Sequence, residues 1–278
     1  MTEAYDVVII GGGPGGLTAA LVLSRARRRV LLVDDGTYRN LQVPEFHGFP
    51  GRDATAPSQF RADVVKELGR YDVEMTAGPA TSASRDTSML RIGLPDRTVE
   101  SRRLVLGTGV VDELPAVPGL AERWGRTVVN CPFCDGWEHR DRPVVVVGAA
   151  EGAEDLANML RSWTSQVTLI AVEEVRALVG DGEALEGVER TDGSVVEAEA
   201  VFLRAPMRPR SQLALALGCE VDDWGFIQTS ATCMTTDPAV WAVGDVRRRP
   251  PAMPHQVVLA AADGAQAAID IHKSLLSD

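Results

Sequence analysis

Cys131 and Cys134 stand three residues apart, and an acid, Asp135, follows at once in the run Cys-Pro-Phe-Cys-Asp. Cysteines at that spacing bracket one helical turn, so they can close a disulfide. At a helix start, the dipole and the free backbone amides lower the pKa of the leading thiol. Only a thiolate attacks a disulfide or passes an electron pair onward, and a neighbouring carboxyl can move the thiol proton. Cys131, Cys134 and Asp135 are therefore candidate catalytic residues of a two-electron couple. Two plainer readings compete. A zinc half-site would want two more ligands, yet Cys219 and Cys233 form no second CxxC and His139 has no evident partner, so no metal is expected. A purely structural pair would leave the nucleotide-type motifs around it without chemistry.

Those motifs begin at the N-terminus. A β-branched run over 5–10 leads into Gly11-Gly12-Gly13-Pro14-Gly15-Gly16 and then an apolar stretch that predicts a helix over 17–26. A second strand over 30–33 ends at Asp34, where a parallel βαβ unit would return. Gly11 would allow the sharp turn, Gly13 the approach of backbone amides to a pyrophosphate, and Gly16 close helix packing. The helix N-terminus would favour the anion, and Asp34 would accept from ribose hydroxyls. A glycine turn alone can simply reverse a chain; the flanking strand and helix favour dinucleotide binding.

The middle of the chain repeats the pattern in weaker form. A strand over 143–147, a turn over 148–153, a helix over 154–163 and a strand over 167–172 make a second βαβ unit. Its turn lacks the central glycine and carries Glu151, whose carboxylate would repel a pyrophosphate. Its second strand ends in Glu173-Glu174, with no basic pair for a 2′-phosphate. Farther on, 239–245 reads as a strand ending in Asp245, and 257–274 as an alanine-rich helix. Leu104 to Gly109 is another strand and tight turn, ahead of a proline-containing linker over 115–119 that opens a second domain.

With 278 residues, 45% of them hydrophobic and 24% charged, the chain has the composition of a two-domain globular protein. A net charge of −11 disfavours nucleic acid and anionic membrane as partners. The arginine triplets 27–29 and 247–249 read as solvated surface. The N-terminus lacks the regions of a signal peptide, no apolar run is long enough for a bilayer, and one close cysteine pair among four cysteines suits a reducing compartment, so a cytoplasmic protein is expected. Cys219 and Cys233 read as inert packing residues. His255 is either a proton acceptor or a helix-entry residue bonded to its own loop. Trp124, Trp137 and Trp163 read as core or interface aromatics, with Trp137 near enough to the thiols to line a substrate path.

Four motifs in order, Gly11 to Gly16, Leu106-Gly107-Thr108-Gly109, Cys131 to Cys134 with Asp135-Gly136, and Val243-Gly244-Asp245 followed by His255-Gln256, resemble the low-molecular-weight thioredoxin reductases over essentially the whole chain. That resemblance implies an α/β fold of two Rossmann-like, three-layer ββα nucleotide-binding domains, the second inserted in the first and reduced. The expected boundaries are 1–117 and 235–278 for the FAD-binding domain and 118–234 for the insert. The resemblance implies FAD held by Gly11, Gly13, Gly16, Asp34, Thr108, Gly109, Gly244, Asp245, Gln256 and Val257, and a homodimer. It further implies that Cys134 lies against the flavin while Cys131 exchanges with substrate, and it adds His255 to the catalytic candidates. Members with a complete nicotinamide domain are longer and carry basic residues after the second turn, whereas 166–189 here is compressed and acidic. This pattern is closer to the related dithiol oxidases, with a small-molecule dithiol and O2 as partners and no provision for NADPH. The alternatives are an NADPH-dependent reductase of a thioredoxin-like protein and a non-catalytic redox sensor.

Overall fold

Strands apolar on both faces need cover on both faces, and the chain alternates such strands with helices that supply it. The computed structural model describes residues 3–86, 89–249 and 255–277. In chain order the elements are β1 (Ala4–Ile10), α1 (Pro14–Arg25), β2 (Val30–Asp34), α2 (Pro57–Leu68), β3 (Glu74–Ala77), β4 (Ser82–Asp86), β5 (Met89–Gly93), β6 (Thr98–Leu106) and β7 (Val110–Asp112). Then come β8 (Val128–Val129), α3 (Pro132–Asp135), β9 (Val144–Val147), α4 (Ala150–Leu160), β10 (Val167–Ile170), β11 (Val175–Val179), β12 (Gly187–Arg190), β13 (Val195–Glu197), β14 (Ala200–Leu203) and β15 (Met207–Pro209). The last are α5 (Gln212–Ala216), β16 (Val240–Ala242) and α6 (Val257–Ser274). No helix among the described residues is long and apolar enough to cross a membrane.

By internal contacts the chain divides into two units. The first comprises Met1–Arg39, Ser58–Val111 and Arg208–Asp278; the second comprises Asn40–Pro57 and Asp112–Met207. In the first, the strands run in the order β3-β2-β1-β6-β5-β4, with β16 also on β6. Strand β1 pairs in parallel with β2 and β6, and β6 divides its other edge between antiparallel β5 and parallel β16. Side-chain alternation sorts the core in two. Val7, Ile9, Val30, Leu32 and Trp241 pack with Leu17, Leu23, Ala267 and Ile271 of α1 and α6. Val8, Ile10, Leu31, Val33 and Leu104 pack with Leu90, Ile92 and Val99 of the antiparallel strands.

The second unit repeats the logic on a smaller scale. A parallel sheet in the order β10-β9-β14-β8 accompanies a separate antiparallel set, β11-β12-β13. Val144, Val146 and Phe202 face Leu156 and Leu160 of α4, while Val145, Val147, Val201 and Leu203 join Leu178 and Val188.

The division differs from the expected boundaries at three stretches. Residues 208–234, expected in the insert, belong to the first unit, because Ala214, Cys219 and Ile227 are buried in its core with Val240. Residues 40–57 and 112–117, expected with the flavin motifs, belong to the second unit. Two helices also start earlier than predicted. Helix α1 begins at Pro14, where proline suits the first helical turn, and α4 begins at Ala150, since alanines there need no glycine turn.

Candidate active site

In the first unit, the glycine run brings backbone against backbone. Gly11 has φ +104°, and a methyl group there would lie 2.2 Å from the Gly107 carbonyl oxygen. The corresponding approaches are 2.3 Å to the Asp34 carboxylate at Gly12 and 1.9 Å to the Gly11 carbonyl oxygen at Gly16. Over Gly13, the N-cap of α1, nothing lies within 4 Å, and no side chain caps the helix. The result is a cradle over an open helix N-terminus, suited to a pyrophosphate.

Asp34 closes the cradle at the end of β2. The Gly12 amide donates to its Oδ1 at 3.0 Å, and the Tyr38 hydroxyl donates to its Oδ2. Arg61 reaches the same Oδ2 at 3.4 Å and lies over the Tyr38 ring. Burial, and then the bond to Asp34, push the Tyr38 phenol well above its ordinary range, so it stays a donor. The carboxylate thus sits at the mouth of the cradle, where an acidic strand end meets a ribose in such units.

The C-terminal motif lies in the same unit. Arg39 Nη1 stands 3.2 Å from Asp245 Oδ2 and 3.1 Å from His255 Nδ1, and the His255 ring tilts against Phe226. Gly244 has φ +74°, and its amide donates to Asp263 Oδ2 at 3.0 Å. Arg247 Nη1 donates to Asp263 Oδ1 at 2.6 Å, and Arg249 pairs with Oδ2. Both arginines are buried, which corrects the surface reading of 247–249: two guanidinium groups sharing one buried carboxylate form an internal tie. The Thr108 hydroxyl donates to the Arg210 carbonyl at 2.6 Å, and Gly109 has φ +69° with open space beside it. Gln256 is the N-cap of α6 and Val257 its first residue.

In the second unit, Cys131 and Cys134 form a disulfide with Cα atoms 5.2 Å apart. Cys131 is the N-cap of α3, a helix of four residues, and its carbonyl accepts from the Cys134 and Asp135 amides at 3.1 Å. One turn sums few peptide dipoles, so the helix contributes less to thiol acidity than the sequence suggested. A methyl group on Gly136 would lie 2.4 Å from the Pro132 carbonyl oxygen and 2.9 Å from the Trp163 ring, which fixes the backbone just after the acid. Phe133 packs edge-on against Trp163, while Trp137 is exposed with the Arg140 guanidinium over it. Burial, with the Glu138 carboxylate adding to it, pushes the Asp135 carboxyl up to about 7, and His47 acts in the opposite direction. Asp135 is thereby poised to hold or release a proton near neutral pH.

The second glycine turn is spanned by a side chain. Gly148 follows β9, and Arg204, just after β14, runs across it: a methyl group on Gly148 would meet Arg204 Cβ at 3.0 Å, and one on Gly152 would meet Arg204 Nε at 3.5 Å. The expected repulsion by Glu151 falls on a side chain outside the described residues. Cys219 and Cys233 are buried; burial raises both thiols, Cys233 to about 12, so neither supplies a thiolate near neutral pH.

Sequence patterns had pointed to none of Arg39, Tyr38, Arg61, Asp263, His47 or Arg204. Each lies outside a spacing motif; Tyr38 is placed by Asp34 four residues before it, and the others by partners more distant in sequence.

The family model described as pyridine nucleotide-disulphide oxidoreductase matches residues 5–175 and 171–264. A thioredoxin reductase of Claviceps purpurea, tcpT, is 31% identical over 280 residues, 88% of this chain and 87% of that protein. A probable thioredoxin reductase of Arthroderma benhamiae is 35% identical over 179 residues, 59% of this chain but only 42% of that longer protein. Among solved structures, HlmI superposes with a TM-score of 0.92 at 37% identity, covering 100% of this chain and 95% of that one.

Proposed function

The chain belongs to the pyridine nucleotide-disulphide oxidoreductase family as a thioredoxin reductase-like flavin disulfide oxidoreductase, and from that premise we propose that it oxidises a small-molecule dithiol, with O2 as final acceptor. FAD would rest on the cradle of Gly11, Gly13 and Gly16, with Asp34, Asp245 and the start of α6 at Gln256 and Val257 as further contacts. The chemistry it supplies when bound is acceptance of two electrons from a dithiol and their transfer to oxygen.

The protein's own residues carry the sulfur steps. A substrate thiolate attacks the Cys131 sulfur, a mixed disulfide forms, and the bond to Cys134 breaks with the electron pair leaving on Cys134. Asp135, carrying a proton near neutral pH, is placed in sequence and burial to neutralise a departing thiolate and take up the proton again. The substrate's second thiol then attacks its own mixed-disulfide sulfur, which closes the product disulfide and releases Cys131. Two substrate thiols become one disulfide, and the protein disulfide becomes two thiols. His255 stays a candidate proton acceptor, with its Nδ1 3.1 Å from Arg39 Nη1.

The observation that carries the direction is Arg204 lying across the second glycine turn, in the space a dinucleotide's pyrophosphate would take, in a unit whose following strand leads into Glu173-Glu174 with no basic pair for a 2′-phosphate. A second reading, NADPH-driven reduction of a thioredoxin-like protein, draws support from the names of the relatives. Anaerobic spectra separate the two. The flavin of the purified protein is expected to bleach on adding a dithiol and to remain oxidised with NADPH; bleaching by NADPH followed by reduction of thioredoxin would reverse the assignment.

A further inference from the structure

The segment Asn40–Pro57 lies between two elements of the first unit in sequence, yet packs within the second. Its own shape is set by an edge-on contact between Phe46 and Phe49, by a bridge from Phe46 to Thr55, and by the Gly48 amide donating to Asp53 at 2.8 Å, and His47 ties it to Glu138 of the same unit. At its centre is His47, whose side chain is 17% exposed. Its Nε2 stands 3.6 Å from Glu45 Oε1 and 3.6 Å from Glu138 Oε1, and its Nδ1 3.5 Å from Asp53 Oδ2. Glu45 and Asp53 come from the same segment; Glu138 comes from the turn that follows the disulfide. The other Glu138 oxygen is buried and has no hydrogen-bond partner among the described residues. One turn back stands Asp135, on which the Glu138 carboxylate and His47 act with opposite sign.

We infer that His47 is a positioning residue for the thiol chemistry, supplying the counter-charge that, with Glu138, decides when Asp135 holds the proton it exchanges with the cysteines. The inference rests on the reading of Asp135 as the proton carrier. A negative Glu138 beside a half-enclosed carboxyl favours keeping the proton, since two like charges at short range resist ionisation. A positive imidazole bound to the same Glu138 offsets that charge and favours release.

The test is the pH profile of opening of the Cys131–Cys134 disulfide by dithiothreitol in the purified holoenzyme, quenched with a maleimide and counted by mass. Each rate is divided by that of Asp135→Asn at the same pH, so that the reagent's own ionisation cancels. The wild-type ratio is expected to fall on the alkaline side as Asp135 loses its proton. In His47→Gln this fall moves to higher pH, and in Glu138→Gln to lower pH, each by up to about one unit. His47→Arg, positive at every pH, brings the fall back to the wild-type position or below it. Coincident profiles for wild type, His47→Gln and His47→Arg would overturn the role of His47, as would His47→Gln and Glu138→Gln shifting the same way. A flat wild-type ratio would instead overturn the reading of Asp135, and the inference with it. Should His47→Gln fail to fold, His47→Arg against wild type still decides: a fall at higher pH than in wild type would overturn the role of His47.

Discussion

Asp135 shows how one side chain can serve chemistry at the expense of stability. Its carboxyl, raised to about 7 by burial first and Glu138 second, binds a proton more tightly in the folded chain than in the unfolded one. Folded stability from this group is therefore full below the ordinary carboxylate range near pH 4 and is lost as pH rises through 7. A shift of three units amounts to about 4 kcal/mol at 1.36 kcal/mol per unit, and partial exposure reduces it to on the order of 2 kcal/mol. Asp135→Asn removes the ionisable group. The variant is expected to match wild type in urea unfolding at pH 4 and to exceed it by that amount at pH 8, while disulfide opening by a dithiol slows roughly 10²-fold at neutral pH. Equal stabilities at both pH values would mean that Asp135 is not buried as described. The type and spacing of Cys131, Cys134 and Asp135 were legible in the sequence, because a local motif states its own geometry. His47 was not, since 88 residues separate it from Asp135 and only packing brings its segment into the second unit.

At the scale of elements, the close crossing of α1 and α6 sets the cradle. A methyl group on Gly264 would lie 2.1 Å from the Gly15 carbonyl oxygen and 3.0 Å from the Ala19 amide nitrogen, so the helices touch backbone to backbone. Backbone cannot yield as a flexible side chain can, and Gly264→Ala must push α6 away from α1. Overpacking of this kind costs about 1–3 kcal/mol, and here the displaced elements are those that border Gly13. The expected outcome is a lower Tm together with loss of bound flavin, read from absorbance per protein. A variant with full flavin content and unchanged Tm would show that the crossing tolerates a methyl group. The sequence marked α6 to the residue, 257–274, because alanine-rich helical periodicity runs unbroken from the first residue to the last. It misplaced α4 by four residues, since a run of small residues reads equally as a turn or as a helix start. It missed Arg204 across the second turn, because strand order, and not chain order, brings β14 beside β9.

At the scale of the whole molecule, each unit carries a core sorted onto the two faces of its own sheet, which is the condition for two cooperative transitions. The glycine cradle and the disulfide lie in different units, so the two should respond to different additions. A ligand that binds only the folded form stabilises it by RT ln(1 + [L]/Kd), about 4 kcal/mol at a thousandfold excess over Kd. In calorimetry of the protein stripped of flavin, added FAD is expected to raise one transition by that order and leave the other in place. The unmoved transition should be the one that Asp135→Asn raises at pH 8. This pairing assigns cofactor and proton chemistry to separate units in one experiment. If FAD and Asp135→Asn shifted the same transition, or if a single transition responded to both, the division of labour between cradle and disulfide would be wrong, even with every residue contact in place.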